Sequence, residues 1–347
     1  MRRFQSIQAA RALSIADLAP SLHRLKAFEN RYVLPSSTLV SDAAKHLLEN
    51  RLTFALVHDD QVSNSAALAA SRGGSVVGMI TERNLLRYAT HAGDLAFFSG
   101  REHGEPTLER WMTPREEMMS VKLDDPLEHA ASLLHSGVWR HLPVLDYWGK
   151  LHSILDVRDV VEALQSEGSG GKNNVWQGAI ASDMLAAKRK RRVLEATEVA
   201  TSGNGVTWQE QLSTYLLQHA ARHTISANKP IEMAAHQAIK ERLTFLVATE
   251  PGGGKGGTDK VIGLVNERSF VKFCASGVPG VSTSSSHTPT ASIMTPLEEV
   301  LHVSLTSPAS EVLDLFFQKN VRHVPVIDGN TLHGILSARD VLRPLML

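Results

Sequence analysis

Four tetrapeptides carry the residues best suited to chemistry in this chain: Thr81-Glu-Arg-Asn84, Asp156-Val-Arg-Asp159, Asn266-Glu-Arg-Ser269 and Ser337-Ala-Arg-Asp340. Each follows an apolar run that reads as a strand, each opens a helix, and each has arginine in third place. A hydroxyl three residues ahead of a carboxylate is close to a capping box, which satisfies the free amides of a helix start. The same carboxylate is acceptor-only when ionised, and a helix amino end favours its charge, so it can equally accept hydrogen bonds from a ligand. Ser337 and Asp340 keep the whole pattern; Asp159 keeps the carboxylate, with Asp156 in the hydroxyl's place; Asn84 and Ser269 lack it. Arg140-His141 and Arg322-His323 add two cationic pairs beside strands. Arginine presents a planar fork of donors, whereas histidine contributes charge only when protonated.

The elements that position these groups are duplicated. Arg140-His-Leu-Pro-Val returns as Arg322-His-Val-Pro-Val, 182 positions later, and Arg51-Leu-Thr-Phe54 returns as Arg242-Leu-Thr-Phe245, 191 positions later. A repeat of that length is a statement about architecture. The first unit reads as strand (Val33-Leu34), helix (Ser41 to Leu52), strand (Thr53 to His58), strand (Ser75 to Ile80) and helix from Thr81. Asp125-Pro126 marks a helix start with Asp as cap and Pro in first position, and Ser307-Pro308 marks another. Residues 167–174 and 281–290 read as linkers. The glycine-rich run 251–258 lacks the G-x-x-x-x-G-K-[ST] spacing of a phosphate loop and is expected to be a hairpin loop. The expected units are a leader with connecting helix (1–30), repeats at 31–92 and 108–166, a connecting segment (167–221), and repeats at 222–277 and 290–347.

Composition narrows the function classes. The 347 residues are enough for two or three domains. Acids and bases balance at 36 each, so no global field draws the chain to nucleic acid or a membrane. The basic run Lys188 to Arg192 reads as the solvated face of a connecting helix, and nucleic acid is not an expected partner. No apolar run approaches the roughly 20 residues of a membrane-spanning helix. Cys274 is the single cysteine, which excludes an internal disulfide and a cysteine-based zinc site. The 16 histidines form no metal-ligand pattern such as H-E-x-x-H, and no nucleophile motif is present, so neither a metal nor an enzyme is expected. Arg2, Arg3 and Arg11, with no acid before Asp17, resemble a mitochondrial transit peptide; the matrix is the expected location, the cytoplasm its alternative.

Met-Thr-Pro at 112–114 and 294–296, the Arg-His-φ-Pro-Val strands and Gly334-Ile-Leu-Ser-Ala-Arg-Asp340 together resemble the CBS domain, a regulatory module first described in cystathionine beta-synthase. The resemblance covers about residues 30–165 and 222–347. It implies an α/β fold of α+β repeats, four CBS domains paired into two Bateman modules with ligand clefts between the repeats. Two such modules in one chain are similar in arrangement to the gamma subunit of AMP-activated protein kinase. The resemblance further implies that Ser337, Asp340 and Asp159 hold a ribose, with Thr81, Asn84 and Ser269 as weaker equivalents. It places Arg140, His141, Arg322 and His323 toward phosphate. The implied function is a non-catalytic sensor that needs no cofactor, binds an adenine nucleotide such as AMP or ATP, and passes its occupancy to an unidentified partner protein. The modules would pair within one chain or across a homodimer. A dimerisation scaffold with unused clefts is the alternative.

Overall fold

Short aliphatic and β-branched runs become strands in every repeat, and Phe54–His58, His141–Leu145 and Phe245–Glu250 are buried on both faces at their centres. The computed structural model describes residues 15–18, 32–59, 76–91, 106–136, 139–148, 151–161, 184, 222–252, 259–276, 288–317, 319, 321–329 and 331–340. The arginine-rich start, the 167–174 linker, most of the 281–290 linker, the core of the 251–258 loop and Lys188 to Arg192 lie outside those residues.

In the first repeat β1 (Val33–Pro35) runs parallel to β2 (Phe54–His58), which pairs antiparallel with β3 (Val76–Thr81), and that with β4 (Thr113–Pro114). The second has β5 (Val121–Lys122), β6 (His141–Leu145) and β7 (Leu151–Asp156). The third repeats the first with β8 (Thr224–Ser226), β9 (Phe245–Glu250), β10 (Lys260–Asn266) and β11 (Thr295–Pro296). The fourth has β12 (His323–Asp328) and β13 (Thr331–Ser337), with Val303 bridging to Val326. Helices Val40–Glu49, Leu127–His135, Ile231–Lys240 and Ala309–Phe317 make the first crossover, and a second helix starts after the hairpin of each repeat. The order strand, helix, strand, strand, helix is the observed one.

Two local expectations are corrected. Met-Thr-Pro, which the expected bounds 108–166 and 290–347 assign to repeats two and four, supplies the last strand of the sheet before it: Gly78 faces Pro114, and Gly263 faces Pro296. Glycine permits that approach, since a Cβ on Gly78 would lie 2.6 Å from the Thr113 carbonyl and one on Gly263 would lie 2.5 Å from that of Thr295. Asp125 is not the cap of the helix that follows it. Pro126 holds that position without a side-chain bond, while the Asp125 carboxylate accepts the Lys122 N–H at 2.8 Å and closes the preceding turn.

The packing between repeats follows a rule. Sheet faces meet within a pair: Leu56, Val76 and Met79 against Leu151 and Ile154, and Phe245, Val247 and Val261 against Ile327 and Ile335. Helices meet across the pairs. One core joins repeats one and three through Leu85, Leu86, Phe270 and Val271; the other joins repeats two and four through Leu127, Leu134, Val312 and Phe316. Each fully buried side chain of this size contributes about 1.5–3 kcal/mol. Ile15, within the expected leader segment 1–30, packs into the core of repeats two and four, and its N–H donates to the Asp125 carbonyl at 3.1 Å. Among the described residues no helix is long and apolar enough to cross a membrane.

Candidate functional site

All four helix starts close on themselves. Asp340 Oδ2 accepts from Ser337 N at 2.8 Å and from Ser337 Oγ at 2.7 Å. Asp159 Oδ2 accepts from Asp156 N at 2.7 Å, and Asp156 Oδ1 accepts from Asp159 N at 3.3 Å. Asn84 Oδ1 accepts from Thr81 N at 3.1 Å, and Asn266 Oδ1 from Ser269 N at 2.9 Å. Capping is therefore realised at every start. At Asp340 both bonds fall on one carboxylate oxygen.

The third-place arginines do more than flank these caps. Arg83 of repeat one donates from Nε to Glu267 at 2.6 Å and from Nη2 to the Leu243 carbonyl, both in repeat three. Arg268 of repeat three returns the gesture, from Nε to Glu82 at 2.7 Å and from Nη2 to the Leu52 carbonyl. Arg339 of repeat four reaches the Trp139 carbonyl of repeat two at 3.5 Å. Repeat two breaks the rule. Arg158 turns back onto its own Asp156 carboxylate, and its Nη1 is buried without a hydrogen-bond partner among the described residues. The physical cause is Asp156, which places a charge where the other repeats carry a neutral Thr, Asn or Ser.

The phosphate candidates converge on the centre. Arg140 donates to Glu267 from Nη1 at 2.7 Å and from Nη2 at 3.3 Å. Arg322 donates from Nη2 to Thr53 Oγ1 at 2.9 Å and to His141 Nε2 at 3.0 Å. His141 packs tilted against Phe54 with ring centroids 4.6 Å apart, and His323 likewise against Phe245 at 4.9 Å, with Thr244 Oγ1 3.2 Å from a ring nitrogen. Burial pushes the Glu267 carboxyl up, but Arg140 and Arg83 more than offset it and leave it below its usual range. Burial also dominates at Glu82, whose carboxyl stays raised despite Arg268.

His141 does not supply the positive charge expected of it at neutral pH. It is 4% exposed, and burial followed by the Arg322 charge hold it well below the ordinary imidazole value of 6.5. Above that value neither the folded nor the unfolded chain binds this proton. As pH falls below it, the unfolded chain takes the proton first and folding stability drops, by up to about 1.4 kcal/mol per pH unit. Urea unfolding at pH 7.5, 6.5 and 5.5 measures that slope, and His141→Gln should flatten it.

Two chambers flank this centre, of about 1040 Å³ and about 730 Å³. Thr53, Glu82, Arg140, His141, Glu267, Arg322 and His323 line both. Ser337, Asp340, Thr81 and Asn84 line the larger, while Asp159 lines the smaller, so the sequence candidates divide between two places. Ser269 lines neither, although its bonded neighbour Asn266 lines the smaller. Beyond the shared wall the larger chamber adds Arg83, Arg87, Arg222, Arg242 and Arg339 against Glu241 and Asp340. The smaller adds Arg51, Arg158 and Arg268 against Asp156, Asp159 and Glu299. One chamber is rich in cations and the other is balanced. Burial, with Arg140 next, brings the Arg339 guanidinium down to about 10, which leaves it charged at neutral pH.

Sequence reasoning missed Glu82 and Glu267. Their signal was visible: the second place of the tetrad is Glu in repeats one and three but Val157 and Ala338 in repeats two and four. It also passed over Arg51 and Arg242, both at φ 54°, a conformation costly for a residue with a side chain and common near functional sites.

The family model described as CBS domain matches residues 109–166 and 291–347. An uncharacterized 17.7 kDa protein of Acidianus ambivalens is 29% identical over 133 residues, covering 38% of this chain and 66% of that protein. An uncharacterized 33.4 kDa protein of Thermofilum pendens is 25% identical over 207 residues, covering 58% of this chain and 54% of its own. The chain thus spans less than two thirds of the length of either relative. Among solved structures, protein MJ1225 of Methanocaldococcus jannaschii, proposed to be an archaeal homolog of g-AMPK, is 15% identical with a TM-score of 0.57, covering 90% of this chain and 94% of that one. That likeness is one of fold. CBSX2 of Arabidopsis thaliana, solved in complex with AMP, is 26% identical with a TM-score of 0.31, covering 45% of this chain and 98% of that one.

Proposed function

We propose, from the CBS-domain matches at residues 109–166 and 291–347, a non-catalytic sensor that binds an adenine nucleotide in the larger chamber. The observation that carries the reading is the surplus of arginines around the Ser337–Asp340 helix start. A nucleotide needs an acceptor for its ribose hydroxyls and cations for its phosphates, and this chamber has both at a volume suited to a small ligand. Asp340 and Ser337 would face the ribose, while Arg322, Arg339 and Arg242 would face the phosphates. Met79 and Ile335, on the same wall, offer apolar surface to a base. Ligand would favour one packing of the two modules over another, and a partner protein would read that shift. A mitochondrial location rests on residues 1–13 alone, which the N-terminal sequence of the mature protein tests.

Thermal melting against AMP, ADP, ATP and S-adenosylmethionine tests the reading. A ligand held at 100 times its Kd should add about 2.7 kcal/mol of stability. AMP or ATP is expected to raise Tm, and S-adenosylmethionine, which lacks phosphates, to raise it less. The scaffold reading is favoured by one observation, the self-closed caps at all four helix starts. It predicts no rise with any of the four at millimolar concentration.

A further inference from the structure

We propose that Glu267 is a resident anion that occupies the arginines of the chamber until an anionic ligand competes for them, and that it thereby sets the affinity of the site. This inference rests on the nucleotide reading above. Glu267 opens the second helix of repeat three, yet its carboxylate is held by arginines from two other repeats, Arg83 of repeat one and Arg140 of repeat two. Its side chain is 5% exposed and it lines both chambers. A carboxylate gripped by two guanidinium forks reproduces the contacts that a phosphate would make.

The pseudo-symmetric residue shows that this grip is not a general need of the fold. Among the described residues Glu82 pairs with Arg268 alone. Repeats two and four carry Val157 and Ala338 at the same place and manage without a carboxylate. Arg140 is drawn onto Glu267 in addition to the pairing that symmetry supplies. It immediately precedes β6 and lines the larger chamber, so a phosphate bound there would compete with Glu267 for the same donor. Arg322 and Arg339 stand in the same chamber and repel one another. An arriving phosphate would relieve that repulsion, and to join them on it Arg140 must loosen from Glu267. Because Arg140, Arg322 and Glu267 wall both chambers, filling one changes the charge facing the other.

Calorimetric titration of inorganic pyrophosphate, AMP and adenosine into the full chain tests this. Glu267→Gln removes the charge; Glu267→Asp keeps it but shortens the reach so that both arginines cannot be bridged. Glu116→Gln, on an exposed turn, controls for net charge. Pyrophosphate and AMP are expected to bind Glu267→Gln about five- to tenfold tighter than wild type, within the usual range of coupling between groups. Glu267→Asp should show a smaller gain, and adenosine should bind all four proteins alike. If Glu267→Gln fails to fold because two arginines lose their partner, Glu267→Asp decides alone. AMP binding by wild type that is unchanged or weaker in the variants overturns the resident-anion inference and leaves the nucleotide reading standing. AMP binding by none of the proteins overturns the nucleotide reading itself.

Discussion

Arg268→Ala is expected to cost about 3–5 kcal/mol of folding stability, read from urea unfolding at neutral pH. The guanidinium satisfies three acceptors of repeat one at once: Glu82 and the Leu47 and Leu52 carbonyls. Its removal leaves a carboxylate with a side chain 10% exposed and no other ion pair among the described residues, with Arg322 acting on it only as a weaker, more distant charge. Arg83→Ala should cost less, about 1–2 kcal/mol, since Arg140 still holds Glu267 after Arg83 is gone. A pH signature separates lost charge pairing from lost packing. The folded-state value of the Glu82 carboxyl is already raised by burial, and without Arg268 it rises further. A raised carboxyl takes up its proton in the folded chain before the unfolded one, so lowering the pH stabilises the variant relative to wild type and narrows the gap. Replacing both Glu82 and Arg268 by methionine should recover the part of the loss that comes from the stranded carboxylate, because an apolar pair of similar volume avoids desolvating either charge, while the Leu47 and Leu52 carbonyls still lose the guanidinium. A cost independent of pH, or a double variant as weak as the single one, would assign the effect to packing.

The fold was legible in the sequence where the signal was local. Strands such as Phe54–His58 and Phe245–Glu250 are short apolar runs bounded by turns, and their recurrence gave the order of elements. Thr113–Pro114 was misplaced because a strand of two residues has no periodicity, and its register depends on a glycine 35 residues earlier, Gly78. The site was legible as a set of residue types and not as a place. Ser337–Asp340 and Asp156–Asp159 look like near-copies along the chain. They line different chambers because repeat one packs on repeat three and repeat two on repeat four, a choice made by the helix cores and invisible in any one tetrad. Likewise His141 and His323 share a motif, yet His141 is buried beside Arg322, whereas His323 is half-buried against Thr244 and Phe245. Charge at these positions is set by burial and by neighbours from other repeats, which spacing does not encode.

On the nucleotide reading, Asp340→Ala is expected to weaken AMP binding about 100-fold, the loss of two charge-assisted hydrogen bonds at about 1.5 kcal/mol each. Asp159→Ala should weaken it by less than about threefold, a change near the noise of one poorly formed contact. The contrast follows from charge. Around Asp159, Arg158 is committed to Asp156, and the added arginines and carboxylates of that chamber balance, so a phosphate meets no surplus of cations there. Around Asp340, Arg339 has only a carbonyl 3.5 Å away among its described hydrogen-bond partners, and the arginines outnumber the acids. Removing Asp340 also removes a cap worth about 1 kcal/mol, so calorimetry must be paired with a melt to show that the variant is folded. Asp340→Asn separates the two roles, since its amide oxygen can still accept from Ser337 while the charge that strengthens bonds from the ribose hydroxyls is gone. A large loss in Asp159→Ala with little change in Asp340→Ala would move the ligand to the smaller chamber. The phosphates would then have to displace Asp156 from Arg158, and tight binding there would require AMP to break an ion pair that the chain already makes for itself.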